Sequence, residues 1–243
     1  MPRSFVLRTP TGNVLMEETL YPTEDLFQEM LANANEVLSG DQLNPAAPRR
    51  WLLISREMPI PDSDGGADRW SLEHLFLDQD GIPTLVEIKR STDSRIRREV
   101  VGQMLDYAAN AVVYWPVDII QERLAAKLLK EERSIDEVLT KFLDDENGGN
   151  LALDDFWEKV NLNLRAGKIR MIFVADSIPP ELQRIIEFLN EQMNPAEVLG
   201  VEVRLHTGGN GYELLVPTLI GRTAEAQAVN GLARKLSTPL RRS

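Results

Sequence analysis

The residues in this chain best able to do chemistry are Glu87 and Lys89, two apart at the end of the apolar run Leu85-Val86. Side chains alternate along a strand, so Glu87 and Lys89 project from one face while Val86 and Ile88 point from the other. One face is predicted to be polar and the other core. The turn Asp80-Gly81 joins this strand, 84–89, to an earlier one at 70–78, and Asp-Gly between alternating runs is a strong hairpin signal. In the earlier strand Ser71, Glu73, Leu75 and Leu77 share a face, with Leu72, His74 and Phe76 on the other. A hairpin closing near Asp80 brings Glu73 close to opposite Glu87, so two carboxylates and a lysine converge. Paired carboxylates repel, and a divalent cation commonly compensates them. Mg2+ binds through one or two carboxylates and completes its shell with water and substrate phosphate. Such a cation lowers the pKa of a water and neutralises charge on a scissile phosphate. Lys89 would orient the attacking water or stabilise the developing charge. The chemistry implied is phosphodiester hydrolysis. A Glu-x-Lys triplet alone carries little weight in a chain this rich in glutamate. Its weight comes from its place after an acid-bearing partner strand and before a basic helix.

The elements that position these residues follow from periodicity. Two short apolar runs around Thr9-Pro10-Thr11-Gly12 predict a hairpin. Thr23 is a candidate N-cap for a helix with Glu24 and Asp25 in its first turn, continuing to Gly40. A short strand is expected at 51–55. From Lys89 to Arg98 positive charge is concentrated, and Arg90, Arg95, Arg97 and Arg98 are the candidate phosphate-contacting residues. Residues 95–112 have helical spacing and lead into a predicted strand at 112–115. The segment 116–167 is charged and helical, with Ser134 and Glu137 reading as a capping box. A buried strand at 169–175, a helix at 179–193 and strands at 201–205 and 212–216 complete the pattern, which predicts an α/β sheet with helices on both faces. Residues 221–243 read as a weakly periodic, partly flexible tail.

Composition narrows the chemistry. The chain has 243 residues, a net charge of −11, no cysteine and two histidines, His74 and His206. Disulfides, thiolate nucleophiles and Cys-based metal sites are excluded, which leaves a hard cation on carboxylates as the expected metal. The negative net charge argues against nonspecific coating of nucleic acid but leaves room for a local basic surface. With no long apolar run, the chain is expected to be cytoplasmic and free of membrane partners. His74 reads as a core histidine. Trp70, Trp115 and Trp157 read as core contacts, and Gly208-Gly209-Asn210-Gly211 as a hairpin turn.

The stretch 70–114 resembles the PD-(D/E)XK nuclease superfamily, and Gln103-Met104-Leu105-Asp106-Tyr107 is similar to the QxxxY motif of its RecB-like branch. The resemblance implies a restriction-endonuclease-like mixed sheet flanked by helices, spanning 1–220 with a helical insertion at about 116–167. It implies that Glu87 binds Mg2+ or Mn2+, that Lys89 is catalytic, and that Gln103 and Tyr107 bind or orient substrate phosphate. The first acid of the motif is commonly Asp. Alignment puts Glu73 there, with Asp68 and more weakly Asp64 as competitors, and Glu24 matches an additional acid carried by some members. The activity implied is a metal-dependent endonuclease acting on DNA, and a symmetric homodimer would supply the two sites a duplex cut requires. The other reading is a catalytically degenerate nuclease fold retained as a nucleic-acid-binding or regulatory module.

Overall fold

The computed structural model describes residues 4–45, 47–61, 68–93, 99–144 and 152–221. The basic residues Arg95, Arg97 and Arg98, the acid Asp64, and the tail from 222 onward lie outside them, as does the side chain of Asp68.

The chain is α/β, with an eight-stranded mixed sheet covered by helices on both faces. The strands are β1 (Ser4–Thr9), β2 (Gly12–Thr19), β3 (Trp51–Pro61), β4 (Asp68–Asp78), β5 (Pro83–Lys89), β6 (Arg170–Ala175), β7 (Glu197–Gly208) and β8 (Glu213–Ile220). They run in the order β1-β2-β7-β6-β5-β4-β3, with β8 also paired to β7. The pairs β5–β6 and β6–β7 are parallel and the rest antiparallel. Parallel neighbours need crossovers, and helices supply them.

One face carries α1 (Glu24–Asn33), a 3-10 turn (Asn35–Leu38) and the short α2 (Gly40–Leu43). Phe27, Leu31 and Leu43 pack there with Val86, Ile88 and Val174. The other face carries α3 (Glu99–Tyr114), α4 (Val117–Lys130), α5 (Ile135–Leu143), α6 (Leu153–Arg165) and α7 (Pro180–Gln192). Each presents an apolar stripe at helical spacing, such as Ile120, Leu124 and Leu128 on α4, to Leu75, Leu85 and Met171 of the sheet.

Several local expectations are corrected. Residues 112–115 are not a strand: α3 runs to Tyr114, because the buried stripe Met104, Ala108, Ala111 continues to Trp115. The β-branched Val112 and Val113 do not override that packing. The first helix does not reach Gly40 but stops at Asn33, where Ala34 leaves helical geometry and Asn35 Nδ2 donates to the Trp51 carbonyl. The Ser134 side chain makes no capping bond. The strand at 51–55 extends to Pro61. All seven residues of β5 are buried, so its polar face is no solvent face: β5 is central, with helices on both sides. Among the described residues no helix is long and apolar enough to cross a membrane.

Gly40 marks where α2 meets the strand lead-in. A Cβ there would lie 2.0 Å from the Arg49 carbonyl oxygen, and Arg49 N–H donates to the Gly40 carbonyl at 3.0 Å. The obstacle is backbone, so relief requires main-chain movement. Gly40→Ala is expected to destabilise the protein by about 1–3 kcal/mol, read as a lower urea midpoint at unchanged slope.

Candidate active site

The site forms where β4 and β5 part. Their pairing runs from Leu77↔Pro83 to His74↔Val86, and at the next step the two backbones no longer bond. The Glu73 carboxylate takes the vacated ladder position: its Oε2 accepts the Ile88 N–H at 2.7 Å. Strand β3 is irregular too. Its pairing with β4 shifts register between Leu53 and Ser55 and between Ile60 and Pro61, and Glu57 has a φ of 52°, in the left-handed region uncommon for a residue with a side chain. The expected alternation breaks here, since Leu72 joins the same core cluster as Leu75.

Lys89 gathers three carboxylates. Its Nζ lies 2.5 Å from Glu73 Oε1, 3.1 Å from Glu24 Oε1 and 3.2 Å from Glu87 Oε1, and it also donates to the Ile88 carbonyl at 2.9 Å. Glu24 is delivered by the first turn of α1, where the Leu26 N–H donates to Thr23 Oγ1 at 3.1 Å as the N-cap expectation required. Glu87 is 1% exposed, and neither of its oxygens has a hydrogen-bond partner. The contact with Lys89 is close enough for Coulombic attraction but misaligned for a hydrogen bond.

Electrostatics follow from burial and crowding. Burial, the charge of Glu73 and, more weakly, that of Glu24 push the Glu87 carboxyl up to about 8 against the pull of Lys89. Glu73 is also raised, by burial first, with Lys89 opposing. Burial alone would lower Lys89, but Glu87, Glu73 and Glu24 outweigh it and hold the ammonium charged.

The helix calls fall beside this cluster. Tyr107 of α3 is buried and accepts a hydrogen bond from Gln103 Nε2. Its hydroxyl is raised by burial and by the charges of Glu87 and Glu73, against the lowering effect of the Gln103 bond and of Lys89. Arg90 sends Nη1 to the Pro22 carbonyl at 3.1 Å, so it braces the approach to α1. Asp68 begins β4 opposite Pro61, five residues from Glu73 and roughly 16 Å along the strand. Of the two candidates for the first acid, Glu73 is the one the fold brings to Lys89.

One residue was missed in the sequence. Asp176, directly after β6, accepts the Ser91 N–H at 2.6 Å, the Ser91 hydroxyl at 3.0 Å and the Ser177 N–H at 3.1 Å. It clamps the turn that follows Lys89 and so acts as a positioning residue. The available signal was an acid immediately after a buried strand. His74 is a core histidine as read. It is fully buried with Nε2 3.2 Å from the Gln28 carbonyl, and burial and Arg56 lower it to about 4.

Among the described residues no group of three or more His, Cys, Asp or Glu side chains is arranged to hold a metal ion. The Lys89 ammonium occupies the space between the carboxylates, and both Glu73 oxygens are engaged. Glu87, by contrast, offers two buried, unpartnered oxygens, the hard donor set that Mg2+ or Mn2+ takes in ones and twos. Comparison with known protein families, with curated proteins and with solved structures gives no match for this chain.

The raised Glu87 sets a pH dependence for the metal-free protein. Between the usual glutamate range near 4.5 and about 8 the folded state holds a proton that the unfolded chain releases, so this group's contribution to stability is full below that window and falls as pH rises through it. Glu87→Gln removes the effect. In EDTA its Tm is expected to exceed wild type at pH 8.5 and to approach it at pH 5, as checked by thermal melts across that range.

Proposed function

We propose that this chain is a divalent-metal-dependent nuclease of the PD-(D/E)XK type, with a restriction-endonuclease-like sheet, hydrolysing phosphodiester bonds in DNA. The observation that carries the reading is Glu87: a buried carboxylate with two unpartnered oxygens, beside a charged lysine and a second acid, at the carboxyl end of a parallel strand. A buried, perturbed carboxylate with a specific charge partner is a functional-site candidate, and open α/β sheets bind ligands at the carboxyl ends of their strands.

In this mechanism Glu87 would hold Mg2+ or Mn2+, and Glu73 would join it by giving up its bond to Lys89, with Glu24 an outer acid. The ion, when bound, supplies a Lewis acid for the phosphoryl oxygen and a more acidic water. The chain's own residues do the rest. Lys89, held as a cation, stabilises negative charge developing on the phosphoryl oxygens and orients the nucleophilic water. Gln103 and Tyr107 offer a donor pair to a phosphate oxygen from the α3 side. Asp176 fixes the turn after Lys89, so the ammonium stays on the reacting side of β5. The proposed setting is the cytoplasm with DNA as partner, and a homodimer would be needed only for cuts across both strands.

A second reading has its own observation. Lys89 is ion-paired to Glu24, Glu73 and Glu87 within 3.2 Å, so the cluster is partly neutralised without any cation. On that reading the fold is a degenerate nuclease that binds nucleic acid.

Cleavage of single-stranded, double-stranded and branched DNA and RNA with Mg2+ or Mn2+ separates the two. Glu87→Gln keeps the shape of a carboxyl that is largely protonated near pH 7, so it is expected to fold while losing at least ~100-fold in rate. Lys89→Ala is expected to lose as much. No cutting by the wild type, or cutting that survives both changes, would favour the degenerate reading.

A further inference from the structure

A cleft of about 1280 Å3 runs along the free edge of β3, away from the carboxylate cluster. It exceeds the roughly 300–1,000 Å3 of ordinary small-molecule sites, which suits an extended ligand. Its two walls carry opposite charge. The wall made by α4, α5 and the turn between them presents Lys127, Lys130, Arg133 and Lys141 against Glu131. The wall made by α1, the 3-10 turn and α2 presents Glu29, Glu36 and Asp41. In a chain of net charge −11, four cations against one acid on a single wall is a concentrated positive surface. Glu131 compensates only part of it, through Arg133 at 3.1 Å and Lys127 at 3.9 Å. Lys130 and Lys141 are exposed and form no ion pair with the described residues.

The floor adds a planar element. Arg50 lies with its guanidinium carbon 5.9 Å from the Phe142 ring centroid, and its Nη1 donates to the Asp144 carbonyl at 2.8 Å. A guanidinium over an aromatic ring offers a cationic, planar group to a nucleobase. The edge carbonyl of Leu53 is occupied by Lys127 Nζ at 2.8 Å, which blunts the edge against addition of a further strand. At one end the cleft reaches Arg56, whose register partner His74 is the neighbour of Glu73.

We propose that this cleft binds single-stranded nucleic acid, its phosphates along Lys127, Lys130, Arg133 and Lys141 and a base on Arg50, and leads the strand toward the carboxylate cluster. The acidic wall repels phosphate and confines the backbone to the opposite side. The inference rests on the nuclease reading for the choice of nucleic acid among polyanions.

The test is binding of a fluorescein-labelled single-stranded oligonucleotide to the full chain in EDTA, over a series of salt concentrations. K130E/K141E changes two exposed residues and is expected to weaken binding at least tenfold. The slope of log K against log salt should fall by roughly 1.4, at about 0.7 per contact for single strands. K168E/R184E, exposed and outside the cleft, carries the same change in net charge and is expected to leave most of the affinity. No binding by wild type, equal weakening by both double variants, or displacement by polyglutamate as effective as by unlabelled oligonucleotide would overturn the proposal. Binding without cleavage in Mg2+ would sink the nuclease reading and leave the cleft assignment standing. Cleavage in Mg2+ with K130E/K141E binding as tightly as wild type would do the reverse.

Discussion

A single ammonium group surrounded by three carboxylates in a nearly dry pocket is the constraint around which the centre of this fold is arranged. Lys89 is 6% exposed, Glu87 1% and Glu73 8%. Ions removed from water incur a desolvation cost of several kcal/mol each, repaid only where geometry and hydrogen bonding are good. Here the compensation is divided. Glu73 is satisfied twice, by a main-chain N–H and by Lys89, and Lys89 is satisfied by Glu73, Glu24 and a carbonyl. Glu87 receives no hydrogen bond, and it is the group driven toward its neutral form. The unsatisfied member is therefore the one with capacity left for a ligand.

Such a cluster survives only because the strand carrying it cannot move. Strand β5 is buried along its whole length between β4 and β6, with Val86 and Ile88 locked into one core and Leu85 into the other. The burial that makes the charges costly also fixes their positions, which is the preorganisation that catalysis on a phosphate requires. At the opposite end of the same strands a second buried ion group is fully used. Arg170 pairs with Asp78 at 3.0 Å and Glu197 at 2.7 Å, and Asp78 accepts the Asp80 and Ile82 N–H groups of the hairpin turn. That group closes a turn and leaves no acid oxygen of Asp78 idle. The contrast between the two ends of β5 separates a structural ion pair from a site with unspent capacity.

Much of this could be read from the residue order. The Asp80-Gly81 turn gave the hairpin and the Glu73–Glu87 proximity, because side-chain period and turn position together limit register. Thr23 gave the start of α1, and helical spacing gave the three helices between α3 and β6. What could not be read depended on packing between distant segments. The all-round burial of β5 needs β6 beside it and helices such as α1 and α6 that lie far from it in sequence on either side. The end of the β4–β5 pairing at His74, and the left-handed Glu57 on the neighbouring β3, are announced by no local pattern. Asp176 is distant in sequence from Ser91 and becomes its neighbour only through the parallel pairing of β5 with β6.

The same divergence sets the reach that the side chain at position 73 must have. Past the last β4–β5 pair the backbones separate, and the side chain at 73 must reach across the gap to the Ile88 N–H while presenting its other oxygen to Lys89. Removing one methylene would withdraw the carboxylate by about 1.5 Å, enough to lose one of the two contacts, since a hydrogen bond beyond about 3.5 Å contributes little. The longer acid is thus fitted to a wider split between strands.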